Sequence, residues 1–387
     1  MLEYLMFRPV RIDDLDDVFH LSLKAQFGLS TLPKDKQMLE DIILKSETSF
    51  SNRNPRNELY LFVLEDIRQN KVVGTSGIQG EVGVDDDFFV YKRIHKHVSD
   101  SFLKKEKKTV ELHLQNNPIK SSKLGTLYLD PEYRSYGVGR FLSIARLSFI
   151  ANHRSWFKDS IITELRGVSD ELGHSPFWDH VMKPFFNVSF YEAGVMAQTS
   201  DTFIGSCIPR IPLLVDIMPT HIQDIIGKTH PYTIPAMKIL QSEGFEMIDL
   251  IDIFDGGPKM RALTDHIKAV RRTVFSSRYT LTGTLENKNL YIFSSGRGDS
   301  FRSCCSQGVE DKDQNTICVH DEPALQHVLK QGELLSYLRL YPKSRRSYQY
   351  TAPVSYSLQG LSQTPFLACF SQWFQELSRC QSSLFYR

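Results

Sequence analysis

The 387-residue chain has no surplus of charge: 46 Lys and Arg stand against 45 Asp and Glu, a formal net charge of +1. Such a balance gives no electrostatic case for nucleic acid as a partner. It has no apolar run of about 18 residues, so no transmembrane helix and no membrane partner are expected. The start, Met1-Leu-Glu-Tyr-Leu-Met-Phe-Arg-Pro9, lacks a basic region followed by a long apolar stretch, so no signal peptide is expected. Cysteine is scarce. Cys207, Cys304, Cys305, Cys318, Cys369 and Cys380 form neither a CxxC pair nor a zinc-ligand spacing. The reading is free thiols in a reducing cytoplasm, with no metal. A Walker loop is missing, because no Gly-Lys-Ser/Thr follows a glycine-rich turn, and so is the three-glycine spacing of dinucleotide folds. What is present is globular in kind: 41% of residues are hydrophobic, and the length suits about two or three domains.

The most informative stretch is Thr126-Leu-Tyr-Leu-Asp-Pro-Glu-Tyr-Arg134-Ser-Tyr-Gly137-Val-Gly139. Thr126 to Leu129 is β-prone. Asp130-Pro131 ends the strand, because proline lacks an N–H and restricts the residue before it. From about Gly139 to Asn152 the residues Phe141, Leu142, Ala145, Phe149 and Ile150 fall on one helical face. Between them lies Arg134-x-x-Gly137-x-Gly139. Its glycines permit a tight turn and close approach. The open N–H groups of the first helical turn favour an anion, and a pyrophosphate fits.

The rest alternates strands and helices. Strands are expected at 7–11, 58–65, 72–78, 110–114 and 159–165, and helices at 12–21 and 34–45. Residues 90–110 read as basic and irregular. Further on, helices are expected at 179–186, within 188–205, at 220–227 with Thr220 as cap, at 234–243 with Gly244 as stop, and at 261–272. A strand is expected at 247–254. Residues 208–216 read as a loop or edge segment. Beyond Val274 the pieces become short and β-rich, with a helix at 323–330 and a strand at 334–341. In the tail, Phe366, Phe370, Trp373, Phe374 and Leu377 form an amphipathic stripe.

Several motifs together resemble the arginine N-succinyltransferase family. They are Gly28-Leu-Ser-Thr-Leu-Pro33, Leu124-Gly-Thr-Leu-Tyr-Leu-Asp-Pro131, Glu164-Leu-Arg-Gly-Val-Ser-Asp-Glu-x-Gly-x-Ser-Pro-Phe-Trp178, His230-Pro-x-Thr-x-Pro-Ala236, Glu243-Gly-Phe245 and Ile251-Asp-Ile-Phe-Asp-Gly-Gly-Pro258. The resemblance covers residues 4–273. It implies an α/β fold with a mixed sheet of the GNAT N-acyltransferase kind. Two GNAT-like lobes are expected, 1–165 for acyl-CoA and 166–273 for the catalytic histidine. A small β-rich region, 274–342, and a tail, 343–387, follow. The family pattern fails at Gln115-Asn-Asn-Pro-Ile-Lys-Ser-Ser122, where an Asn-Asp-x-Thr-Gly type segment is usual. It also says nothing of the tail.

The implied reaction moves succinyl from succinyl-CoA to the α-amino group of L-arginine in the cytoplasm. By resemblance, His230 takes the place of the proton-donor histidine and Leu127 that of a succinyl-CoA contact. Twelve histidines are present, and the residues alone leave His230 open as a cap for the helix at Ile234. Arg134, Gly137 and Gly139 would hold the CoA phosphates. The oxyanion would be met by backbone N–H groups near Thr126–Leu129. Glu164, Asp170, Glu171, Asp252 and Asp255 are candidates for the guanidinium, and Arg166 for a carboxylate. Ser175 and Trp178 read as capping and packing residues, and Cys207 as buried. Open alternatives are the same transfer to ornithine or another basic amine, an acetyl donor, and a non-catalytic acyl-CoA-binding subunit. A homodimer or an oligomer with a related subunit stays open too.

Overall fold

In the computed structural model, the described residues are 1–25, 32–51, 58–84, 87–100, 105–116, 119–170, 174–199, 203–276, 278–283, 285–286, 288–311, 316–329 and 334–340. The chain divides into two compact units, Met1–Pro342 and Lys343–Arg387. The second unit, and with it the stripe from Phe366 to Leu377, lies outside the described residues. So do Glu171 and most of the Gly28–Pro33 motif.

The elements of the first unit follow in order. They begin β1 (Leu5–Pro9), α1 (Leu15–Lys24), α2 (Lys36–Ser51), β2 (Leu59–Asp66) and β3 (Lys71–Gln79). Next are β4 (Phe89–Asp100), β5 (Lys105–Asn116), β6 (Ser122–Leu129), α3 (Val138–Asn152) and β7 (Ser160–Glu164). A π-helical turn (Trp178–Met182) leads into α4 (Lys183–Phe186), α5 (Phe190–Thr199), α6 (Phe203–Cys207), β8 (Leu213–Leu214) and α7 (Thr220–Gln223). Then come α8 (Ile234–Glu243), β9 (Glu246–Asp252), β10 (Pro258–Leu263), α9 (Lys268–Arg272), β11 (Val274–Ser276) and β12 (Tyr279–Thr282). The last are β13 (Asn289–Ser295), β14 (Arg302–Asp311), β15 (Thr316–His320), α10 (Pro323–Val328) and β16 (Leu335–Arg339).

One mixed sheet runs through all of it, in the order β11-β16-β13-β14-β1-β2-β3-β6-β7-β10-β9-β4-β5-β8. Strands from residues 1–165, 166–273 and 274–342 therefore share one hydrogen-bonded surface. The β-rich C-terminal part joins through β14, which pairs Cys304 with Met6 and Ser303 with Phe7. Most neighbours are antiparallel, but β6 and β7 run parallel. Parallel neighbours need a crossover, and α3 supplies it.

α3 is buried on more than its expected face. Ile144, Leu147 and Val138 join Phe141, Leu142, Ala145, Phe149 and Ile150 out of solvent. One side meets the sheet, while α8 and α9 cover another. Phe149 packs against Phe50, Phe62 and Phe301, with ring centroids 4.9 to 5.7 Å apart. Each such buried aromatic contributes about 1.5–3 kcal/mol by area alone. A second core under β4, β5 and β9 centres on Trp178 and Phe177. A third lies between α1, α2 and the other face of β2 and β3.

Four sequence expectations change. Residues 90–100 and 105–110 are not irregular: β4 and β5 pair from Phe89↔Asn116 to Asp100↔Lys105. β4 meets β9 only at Val90–Lys92, so the rest of the ribbon takes no strand from β9. Its basic side chains hide the strand pattern. Residues 261–272 are not one basic helix. Strand β10 takes Pro258–Leu263 because it pairs with β7 on one side and β9 on the other, and tertiary pairing overrides helix propensity. Thr220 is the first residue of α7 rather than its cap, a place held by Pro219. Cys207 is exposed, not buried, because α6 ends there at the surface. The stop at Gly244 matches, with φ +103° closing α8.

Candidate active site

Two arms leave the parallel β6–β7 pair near the middle of the sheet's strand order. β6 pairs with β7 at Ser122↔Ile161, Lys123↔Ile162 and Leu124↔Thr163, and the pairing goes no further. Leu127 lies three residues beyond Leu124 on one arm. Arg166 lies three residues beyond Thr163 on the other. The C-terminal ends of such parallel strands are the usual place for a ligand in α/β sheets.

The β6 arm leads into the expected anion loop. Asp130 ends the strand, accepts from Glu132 N at 3.1 Å and pairs with Lys24 Nζ at 2.6 Å. Tyr133 donates its hydroxyl hydrogen to Asp66 at 3.0 Å. Arg134 is exposed, donates Nε–H to Leu129 O at 2.9 Å, and lays its guanidinium over the Tyr128 ring. Gly137 takes φ +85° at the N-cap of α3, and nothing stands within 4 Å of where a Cβ would be. Left-handed backbone favours glycine there. Val138 N–H is used by Ser135 O. The N–H groups of Gly139 and Arg140 find no acceptor among the described residues, as expected of a first helical turn. Leu127, Arg134, Gly137 and Gly139 thus lie along one strand–loop–helix passage.

The β7 arm carries the other group. His230 N–H donates to Arg166 O at 2.8 Å, and Gly227 N–H donates to Gly256 O at 2.8 Å. The segment 227–230 is thereby strapped beside β7's exit and the β9–β10 turn. His230 caps the short turn Pro231–Thr233: Nδ1 accepts from Tyr232 N at 3.2 Å. In the neutral ring the hydrogen is therefore on Nε2. Burial and the nearby charge of Arg166 push the imidazole below its ordinary value, against a hydrogen bond with the Ser169 backbone.

Asp255 is a staple. Oδ2 accepts from Gly167 N at 2.7 Å and Oδ1 from Gly257 N at 2.8 Å. Burial first, then the charge of Asp252, raise its carboxyl to about 7. A Cβ on Gly167 would stand 2.2 Å from Asp255 O, and one on Gly257 would stand 2.2 Å from Leu165 O. Asp252 accepts from Phe254 N at 2.7 Å and caps the same turn. Arg166 is partly buried and bonds Ser169 Oγ at 2.6 and 3.0 Å.

Glu164 is not a free carboxylate. Lys259 Nζ donates to one oxygen in a short hydrogen bond, and Lys123 Nζ reaches the other at 3.3 Å. Burial works against its ionisation, but Lys123 and Lys259 outweigh it and hold the group down at about 2. Lys259 is fully buried and also faces Asp252 at 3.6 Å. Both ammonium groups sit about 5 Å from the Phe88 ring, at 5.3 and 5.1 Å, a cation–π arrangement. Neither lysine carries a motif that singles it out in the sequence. Asp170 pairs with His174 Nδ1 at 3.0 Å. Ser175 Oγ accepts from Trp178 N at 3.2 Å, and Trp178 is fully buried with Nε1 donating to Val188 O.

The family model for the arginine N-succinyltransferase beta subunit matches residues 5–269. The chain belongs to the arginine N-succinyltransferase family. An arginine N-succinyltransferase of Yersinia pseudotuberculosis is 37% identical over 304 residues, 76% of this chain and 87% of that one. That of Photorhabdus laumondii is 34% identical over 343 residues, 88% of this chain and 99% of the other. The solved structure of arginine/ornithine succinyltransferase subunit AI from Pseudomonas aeruginosa superposes with a TM-score of 0.77 at 27% identity, covering 87% of this chain and 98% of that one. The family consists of acyltransferases, and the mixed sheet with its parallel pair is GNAT-like. No helix among the described residues is long and apolar enough to cross a membrane.

Proposed function

We propose that this chain transfers the succinyl group of succinyl-CoA to the α-amino group of L-arginine by direct attack on the thioester. Family membership supports the reading. One geometric observation supports it at the level of residues: Leu127 and the Arg166–His230 pair lie just beyond the last paired positions of the parallel strands β6 and β7.

In this reading the donor's pyrophosphate sits at the start of α3, on the N–H groups of Gly139 and Arg140, beside Arg134 and the turn at Gly137. The acyl group lies at the C-terminal ends of β6 and β7, and the thioester oxygen meets the backbone N–H of Leu127. Arginine's amine arrives protonated and loses one proton to solvent, so that it attacks as the neutral amine. Neutral His230 takes one proton as the amine attacks, a C–N bond forms, the C–S bond breaks, and the thiolate leaves as the thiol after protonation by His230. No covalent enzyme intermediate and no metal are needed. Arg166 is the cation for a substrate carboxylate. Glu164 and Asp252 are the assigned carboxylates for the guanidinium, and each meets it by exchanging a lysine contact. Asp255 acts through the Gly167 and Gly257 turn that it holds. The enzyme works in the cytoplasm, as a homodimer or beside a related subunit.

The test offers succinyl-CoA or acetyl-CoA with arginine, ornithine or lysine and follows thiol release. The expected result is release with succinyl-CoA and arginine above every other pair. No release with that pair would sink the reading.

A further inference from the structure

β6 changes direction at a defect that other elements hold in place. Between the pairs Gly77↔Gly125 and Thr75↔Tyr128, β3 offers Ser76 alone while β6 offers Thr126 and Leu127. Two residues against one make a β-bulge. Thr126 has φ +51°, a strained conformation for a β-branched residue. Gly77 leaves room for it, since a Cβ there would stand 2.9 Å from Thr126 Oγ1.

Strained backbone persists where its surroundings over-determine it. Here three consecutive carbonyls each receive a side-chain donor from a different element. Leu124 O accepts from Thr163 Oγ1 on β7 at 3.2 Å. Gly125 O accepts from Arg146 Nη1 on α3 at 3.3 Å. Thr126 O accepts from Thr75 Oγ1 on β3 at 2.9 Å. All three donor residues are buried. Arg146 is 1% exposed, and its other hydrogen bonds go to Ser143 on its own helix. No carboxylate pairs with it among the described residues. A buried guanidinium without a counter-ion is costly, and among the described residues the bond to Gly125 is its one hydrogen bond outside α3.

The carbonyl of Thr126 and the N–H of Leu127 belong to one planar trans peptide. They point in opposite directions. Holding Thr126 O toward Thr75 on β3 turns Leu127 N–H away from β3, toward the edge that β7 has left.

We propose that Thr75, Arg146 and Thr163 are positioning residues that clamp the bulge and aim the Leu127 N–H at the thioester oxygen. The aim, though not the clamp, rests on the acyl-transfer reading above.

Thr75→Val removes the hydroxyl and keeps the shape, and Thr75→Ser restores the donor. With succinyl-CoA and arginine, Thr75→Val is expected to lower kcat about 10-fold, a fraction of the loss of a whole oxyanion donor. The affinity for free CoA, which has no acyl oxygen, should stay within about 2-fold. Thr163→Val should act in the same direction. Thr75→Ser should recover kcat, and Arg146→Gln should retain more than Arg146→Leu. An unchanged kcat in Thr75→Val and Thr163→Val, or a parallel fall in kcat and CoA affinity, would overturn the proposal. If the wild type does not turn over, the acyl-transfer reading falls and the clamp is judged by amide hydrogen exchange at Leu127. Exchange about 10-fold faster in Thr75→Val supports it; equal exchange overturns it.

Discussion

The backbone N–H of His230 donates to the carbonyl of Arg166 at 2.8 Å. This bond ties an imidazole from the second half of the chain to the exit of β7, the strand that pairs with β6 just before Leu127. Removing the ring while keeping the backbone tests its part in proton transfer. His230→Ala should lower kcat by about 10² or more, the scale of a lost general acid–base group. The pH dependence adds a sign. Burial and Arg166 hold the imidazole below 6.5, so the neutral, active form persists as pH falls past the ordinary histidine value. The acid limb of kcat/KM should therefore lie below pH 6.5 and vanish in His230→Ala. Thiol-release rates from pH 5 to 8 measure both. An unchanged rate removes His230 from the mechanism.

Lys259 and Glu164 form a buried ion pair at the site, with the Lys259 side chain at 0% and Glu164 at 29% exposure. Removing Lys259 takes the nearer of two lysines from Glu164, leaving Lys123 at 3.3 Å, and takes from Asp252 the ammonium that it faces. Lys259→Met should cost about 3 kcal/mol or more. The double variant Lys259→Met with Glu164→Gln should recover part of that cost, as a coupled pair does. Glu164's folded value, about 2, lies below its unfolded value of about 4.3. A depressed acid stabilises the fold above the unfolded value and loses that stability as pH falls through the folded one. The wild type should thus lose stability between about pH 4.3 and 2, and Lys259→Met should lose less in that window. Denaturant titrations at several pH values would show it; equal slopes for both proteins would contradict the pairing.

Much of the strand–loop–helix passage was legible, because Asp130-Pro131, Gly137 and the apolar period of α3 are local signals. The stop of α8 at Gly244 was legible for the same reason. The β4–β5 ribbon was not, since basic residues on a two-stranded arm carry little apolar alternation. Strand β10 was misread because its state is set by β7 and β9 rather than by its own residues. Asp255 could be placed at a turn, but its bond to Gly167, 88 positions away, has no trace in spacing. Arg146 did leave a signal, as a charge within the otherwise uncharged run Phe141–Ile150. Its partner Gly125 could not be read, because that contact depends on the bulge.

Gly137 gives a prediction confined to the donor. Its φ of +85° is left-handed, yet the space around it is open. Gly137→Val therefore meets no clash, and its cost is backbone strain of about 1–2 kcal/mol in the loop itself. The start of α3 should shift, and KM for succinyl-CoA should rise several-fold while KM for arginine stays. Initial rates at varied donor and acceptor concentrations separate the two. A change in the arginine KM alone would move the loop assignment to the acceptor side.

Gly167 gives the opposite case, a position where space and not φ is limiting. A Cβ would stand 2.2 Å from Asp255 O and 2.8 Å from its carboxyl oxygen Oδ1. Both neighbours are fixed, the first as backbone and the second by the N–H of Gly257. Relief requires the β7 exit to move away from the β9–β10 turn, which breaks the bond from Gly167 N to Asp255 at 2.7 Å. Overpacking of about 1–3 kcal/mol then adds to the loss of a buried charge-assisted hydrogen bond of about 1.5–3 kcal/mol. Gly167→Ala should lower stability by about 2.5–6 kcal/mol on those two grounds. Because Arg166 precedes Gly167 and carries the carbonyl that His230 bonds, the same movement should lower kcat in the fraction that still folds. Chemical denaturation with thiol release on the folded protein measures both effects. A variant as stable and as active as the wild type would show that the two segments are not held in this contact.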